Sequence, residues 1–206
     1  MLSIFYKAVI ILVMRMRKEE GVLAVGNDTV IVYSSRNGST RRYAEWLAQD
    51  CAARLIPWRE AVADELAEYG TVVFGGCVYN GLIEGISLIK NNRDTLRGCR
   101  LFVFTVGLTQ PGDEAAFQQV LERNFEPGEL AGIRFHHFLG ALDFKRMSLM
   151  QRMMMRLLKK SIQRKPKESR SMLESYVLEA YGGQVDFTNR SYIRPLVEEI
   201  LSGPEA

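Results

Sequence analysis

The apolar residues of this chain gather in five short runs, at residues 29–33, 54–58, 71–76, 100–107 and 133–142. The longer runs are nearly continuous in Val, Ile, Leu and aromatic residues rather than alternating with polar ones. That pattern predicts strands buried on both faces. Helix-period sequence fills the intervals. After the first run, Tyr43, Leu47 and Cys51 fall on one side of a predicted helix. Residues 60–69 predict a second, with Val62, Leu66 and Tyr69 inward, and Gly70 ends it. Residues 82–96, ending before Gly98, predict a third, and residues 113–125, with Asp113 near the start, a fourth. A final helix is predicted over 189–201. The alternation predicts an α/β fold, an open five-stranded parallel sheet with helices on both faces. Such sheets bind ligands beyond the carboxyl ends of their strands, where the strand order reverses.

The first of these strand ends is the most informative. Residues 31–47 read IVYSSRNGSTRRYAEWL: strand, hydroxyl-rich turn with Gly38, then helix. Backbone N–H groups of the turn and first helical turn converge there, the helix dipole favours an anion, and Ser and Thr hydroxyls add donors. An ordinary helix cap needs one hydroxyl; this turn offers Ser34, Ser35, Ser39 and Thr40. It has no Lys of P-loop type and no GxGxxG spacing, which points to a mononucleotide phosphate held by neutral donors. The stretch resembles the flavodoxin signature, with Ile31, Val32 and Tyr33 in the strand, Ser35 opening the loop, then Gly38, Thr40, Ala44 and Leu47. The resemblance implies a flavodoxin-like fold that binds flavin mononucleotide (FMN), its phosphate at Ser35, Asn37, Gly38, Ser39 and Thr40, with Arg36 a further cofactor-binding residue of the same loop.

Two further loops follow from the strand-end rule. Residues 75–81, GGCVYNG, bring glycines that would let backbone approach a flat ring, and Tyr79, which could stack on it. Flavodoxin-like proteins have an isoalloxazine-contacting loop here. The resemblance places Gly76, Cys77, Val78, Tyr79 and Asn80 against the ring, Cys77 standing where Ser is common. No His lies near Cys77 in sequence, so a small packing role is expected of it rather than nucleophilic attack. Residues 105–110 form the second expected ring loop, with Val106, Gly107 and Leu108. The Tyr that flavodoxins often place there is missing, which leaves that ring face open to a substrate or covered by another side chain such as Leu108.

Three scattered cysteines suit a reducing compartment and no disulfide framework. Two histidines, adjacent at 136 and 137, argue against a His-based metal site. The net charge of +3 conceals a division. Residues 145–167 hold nine basic and no acidic residue, leaving 18 basic and 24 acidic over the other 183. That segment lies in an insert, residues 143–188, ahead of the last helix. Wound at about 100° per residue, Met147, Met150, Met153, Met154, Leu157 and Leu158 share one face and Lys145, Arg152, Arg156, Lys159 and Lys160 another. Such a helix suits an anionic membrane surface or a partner groove; alternatively its methionines dock on the domain and its charges are merely solvated. No aromatic residue interleaves with the basic ones, so nucleic acid is not expected. Residues 138–160, followed by Val185, Asp186, Phe187, Thr188 and the last helix, resemble the C-terminal part of the menaquinone-dependent protoporphyrinogen dehydrogenases. That resemblance implies a membrane-associated FMN enzyme oxidising a porphyrinogen with a quinone as acceptor. The loops at 75–81 and 105–110 depart from that family's pattern. The acidic remainder favours the alternative of a soluble carrier between redox protein partners.

Residues 1–28 form an extension ahead of the first strand. Their apolar run, 8–14, is far below the roughly 20 residues that span a bilayer. The flanking charges do not suit a secretory signal. Two readings stand: a start assigned too early, with Met14 or Met16 as the true one, or a surface or packing segment. A cytoplasmic protein, peripheral on the inner face of the cell membrane in the enzyme reading, is expected.

Overall fold

The computed structural model describes residues 28–109, 112–144, 147, 149–170, 172–179 and 181–203. The extension expected at 1–28 therefore lies, apart from Asp28, outside the described residues, as does Lys145. The elements are β1 (Thr29–Ser34), α1 (Ser39–Asp50), β2 (Arg54–Pro57), α2 (Ala63–Leu66), β3 (Thr71–Tyr79), β4 (Leu82–Ile83), α3 (Ser87–Lys90), β5 (Arg100–Gly107), α4 (Glu114–Asn124), β6 (Ile133–Leu139), β7 (Ala141–Asp143), α5 (Leu149–Arg164), α6 (Met172–Glu179), β8 (Gln184–Asp186) and α7 (Arg194–Leu201).

Five strands pair in parallel in the order β2-β1-β3-β5-β6. The order reverses between β1 and β3, whose last paired residues are Ser34 and Gly76. Alternate residues of each strand face opposite sides, as the period of two requires. Val30, Val32, Val72, Phe74, Leu101 and Val103 join Leu66, Ile89, Val120 and Leu121 in one core. Ile31, Val73, Phe102, Phe104 and Phe138 join Tyr43, Ala44 and Leu47 of α1 and Leu196 and Ile200 of α7 in the other. Each fully buried Leu or Phe stabilises the fold by about 1.5–3 kcal/mol, so both faces must be covered before the sheet is stable.

Four expectations need correction. The helix at 60–69 shrinks to the single turn of α2, and Val62, placed inward by its spacing, is 52% exposed. The helix expected from residue 82 begins as β4, because Asn80 and Gly81, both at positive φ, turn β3 straight back on itself as an antiparallel hairpin. The loop expected at 75–81 is thus mostly strand, and β3 runs three residues further than predicted. The strand expected over 133–142 breaks at Gly140. Beyond it β7 leaves the main sheet and pairs antiparallel with β8 in a separate two-stranded ribbon.

That ribbon is the base of the insert. Leu142, Phe144, Met155, Ile162 and Val177 form a third, small core, with Met147, Leu178, Tyr181, Val185 and Leu108 packed against it. The side of α5 that docks is Met155 and Ile162, seven residues apart and so on one helical stripe. Of the expected methionine face, Met147 packs against this core and the rest does not dock. Met150, Met153 and Leu157 are 62%, 58% and 63% exposed, and Met154 and Leu158 are also exposed. Arg152, Arg156 and Lys160 are exposed beside them. Lys159 departs from that group: it is half-buried, its Nζ 4.0 Å from the centre of the Tyr181 ring. No helix among the described residues is long and apolar enough to cross a membrane.

Candidate functional site

A cavity of about 540 Å³ opens at the carboxyl ends of β1, β3 and β5, beside the point where the strand order reverses. Its size suits a small-molecule site. Ser35, Arg36, Asn37, Ser39 and Thr40 line one end, Cys77, Val78 and Tyr79 one wall, and Val106, Gly107 and Leu108 another. Gly140, Ala141, Leu142, Asp143 and Met147, which the sequence reading did not assign to a site, complete the lining.

The first end is built by α1. Gly38, at φ 93°, is its N-cap and carries no side-chain cap, so N–H groups of the first turn are left to a ligand. Gly38 does not itself line the cavity. Its N–H donates to Ser35 Oγ at 3.1 Å and its carbonyl accepts from Arg42 N–H at 2.9 Å, which shapes the turn. Ser39 Oγ accepts from Ala141 N–H at 3.1 Å, leaving its own O–H to donate. Thr40 is 1% exposed and borders the cavity. A buried hydroxyl beside uncapped helical N–H groups is a donor set for an anion.

Gly76 and Asn80 stand outside the lining, and the glycines of β3 pack closely against neighbouring side chains. A Cβ on Gly75 would meet the Phe104 ring at 2.1 Å, and one on Gly76 would meet Ile83 Cγ2 at 2.4 Å. Asn80 occupies the hairpin turn. The hairpin is pinned by Asn124, at the end of α4. Its Oδ1 accepts from Ile83 N–H at 2.8 Å and its Nδ2 donates to the Gly81 carbonyl at 2.8 Å. Nothing in the sequence marks Asn124, a polar residue 7% exposed at the end of an amphipathic helix.

Arg36 is the one cation among the described lining residues. It is held by the β3–β4 hairpin: Nε donates to Glu84 Oε2 at 2.5 Å, and the guanidinium lies 4.2 Å from the Tyr79 ring centre. The Cys77 thiol donates to the same Glu84 oxygen at 3.2 Å. Burial opposes ionisation of Glu84, but the bonds from Arg36 and Cys77 outweigh it and hold the carboxyl below its ordinary range. Burial, then Glu84, push the Cys77 thiol up to about 12. Cys77 is therefore a protonated donor near neutral pH and a poor nucleophile.

FMN fits this lining. The donor-rich end suits a phosphate monoester, and Val78, Tyr79, Val106, Leu108, Leu142 and Met147 suit a flat, mostly apolar ring. Leu108, in the loop that lacks the familiar Tyr, lines the cavity and packs against the insert's core.

In structure the chain is similar to an archaeal flavodoxin, at 16% identity over 53% of this chain and 83% of that one, TM-score 0.34. It is similar to the flavodoxin of Megasphaera elsdenii, at 16% identity over 54% and 84%, TM-score 0.38. It is also similar to rubredoxin oxygen:oxidoreductase from Desulfovibrio gigas, at 15% identity over 86% and 37%, TM-score 0.40. No match was found among proteins of curated function. Family membership rests instead on sequence. Residues 30–169 match the family model described as a flavodoxin domain, so the chain belongs to the flavodoxin domain family, whose cofactor is FMN.

Proposed function

We propose that this protein is an FMN-dependent oxidoreductase that works against an anionic membrane surface and passes electrons from a reduced donor to a quinone. FMN supplies the redox chemistry, accepting and releasing one or two electrons. The chain supplies binding and orientation. Ser35, Asn37, Ser39 and Thr40, with the N–H groups of α1, hold the phosphate. Cys77 to Tyr79 and Val106 to Leu108 flank the ring. The paired charges of Arg36 and Glu84 keep that side near electrical neutrality.

The observation that carries the reading is the outward face of α5. An apolar stripe of Met150, Met153, Met154, Leu157 and Leu158 stands exposed next to Arg152, Arg156 and Lys160. Exposed apolar residues in one contiguous stripe favour an interaction surface, and basic neighbours favour an anionic one, at about 1 kcal/mol each. The insert carrying this face also contributes Asp143 and Met147 to the cavity, which links the surface to the flavin site. Protoporphyrinogen, suggested by the C-terminal resemblance, is the first donor to assay.

Cosedimentation with phosphatidylglycerol-containing vesicles tests the surface, and reoxidation of the reduced holoprotein by menadione tests the acceptor. Vesicle binding that disappears in a variant with Arg152, Arg156 and Lys160 changed to Gln, together with rapid quinone reoxidation, is expected. Bound flavin that ignores both vesicles and quinone would instead favour a carrier between protein partners.

A further inference from the structure

The two histidines are not used by the flavin site as described, yet one lies directly behind it. His137 sits on β6 opposite Thr105 of β5. Its Nδ1 is 2.7 Å from Thr105 Oγ1, and its Nε2 is 3.2 Å from the carbonyl oxygen of Thr109. A carbonyl can only accept, so Nε2 carries the hydrogen. Nδ1 is then the lone-pair nitrogen and accepts a hydrogen bond from the Thr105 hydroxyl. Burial pushes the imidazole down to about 4, so it is uncharged near neutral pH and keeps this tautomer. Its Cε1 would lie 3.3 Å from a Cβ placed on Gly107, which puts the ring against that residue's backbone, and Phe117 of α4 packs on it with ring centres 5.5 Å apart.

One imidazole thus touches the root, the start and the far end of a single turn, at Thr105, Gly107 and Thr109. The residues between and beside these contacts, Val106, Gly107 and Leu108, line the cavity. Leu108 also packs into the insert's core, so the turn is the wall shared by the flavin site and the insert.

We propose that His137 is a positioning residue for the flavin. Through its Nε2–H bond to the Thr109 carbonyl it fixes the Gly107–Thr109 turn, and so sets the affinity of the site for FMN and the reduction potential of the bound ring. Its neighbour differs: His136 Nε2 lies 3.2 Å from Glu199 at the end of α7, away from the cavity lining. The proposal rests on FMN being the cofactor, but not on quinone or membrane.

Two isosteric substitutions separate the two ring nitrogens. In His137→Gln the side-chain amide reaches as far as Nε2 and can donate to Thr109. In His137→Asn it reaches only as far as Nδ1, keeping Thr105 and losing Thr109. FMN affinity by quenching of flavin fluorescence, the midpoint potential, and thermal stability of the apoprotein are measured on both. His137→Asn is expected to bind FMN about tenfold more weakly, the scale of one lost hydrogen bond, with a displaced potential. His137→Gln should stay within about threefold of the unsubstituted protein. Equal weakening in both variants, or a loss of apoprotein stability with unchanged FMN affinity and potential, would overturn the proposal. Should either variant fail to fold, ¹⁵N chemical shifts of His137 in the unsubstituted apoprotein decide: the Nε2–H form is expected, and the Nδ1–H form overturns it. A protein that shows the expected tautomer but takes up no FMN would refute the flavin reading instead.

Discussion

Helices α1 and α5 are both amphipathic, and they use their apolar faces in opposite ways. α1 buries Tyr43, Ala44 and Leu47 completely against the sheet and offers its N-terminus to the cavity. α5 buries Met155 and Ile162 in a small core of its own and leaves the broader stripe of Met150, Met153, Met154, Leu157 and Leu158 in solvent. An apolar stripe identifies a face that will be covered but does not say by what. In α1 the cover is the protein itself. In α5 the protein covers only part of the apolar surface, and the rest is available to something else.

Substitutions can break this contrast or sharpen it. The largest effect is expected in α1. Leu47→Ala empties a site in the middle of a main core and should cost about 2–5 kcal/mol in urea unfolding, with FMN uptake falling as the sheet loosens. Ile162→Ala, equally buried, should act locally. The opening free energy of α5 by hydrogen exchange should drop by about 2 kcal/mol while the midpoint for the sheet body barely moves. An equal shift of both transitions would show that body and insert unfold as one unit.

The joint between the two regions should be weaker still. Arg42 of α1 reaches Asp186 of β8 at 2.6 Å and Thr188 at 2.7 Å. Both charged partners remain substantially exposed, at 47% and 40%. A double-mutant cycle on Arg42 and Asp186 should therefore give a coupling of only about 0.2–1 kcal/mol. The smallest change is expected on the outer stripe. Met153→Gln with Leu157→Gln should leave stability within about 0.5 kcal/mol of the parent yet abolish sedimentation with anionic vesicles. Unchanged vesicle binding would remove the reason for assigning that stripe to a membrane.

The strand, turn and helix start around Ser35 to Thr40 were legible because one continuous stretch supplies all three. The parallel sheet was legible because its strands are apolar on both faces. The hairpin was misread although its signal was present: Asn80-Gly81 is a favoured two-residue turn, but a returning strand of two residues is too short to show a period. The far wall of the cavity could not be read at all. It depends on β7 meeting β8 across some forty residues, and on Gly140, whose N–H donates to the Gly107 carbonyl at 2.8 Å, ending one sheet as the next begins. His137 and Asn124 were hidden for the same reason. Each acts through partners that folding, not sequence, brings near.

The position of the insert ahead of α7 has a consequence for how the chain is made. Ile193, Leu196 and Ile200 complete the core on the α1 side of the sheet, but they are synthesised after the whole insert. At roughly 5–20 residues per second, the approximately fifty residues between β6 and Ile193 take roughly 3–10 s. Through that interval Phe102, Phe104 and Phe138 have only α1 to cover them on that face. Until then the second core lacks the residues that close it, and the length of the insert sets the delay.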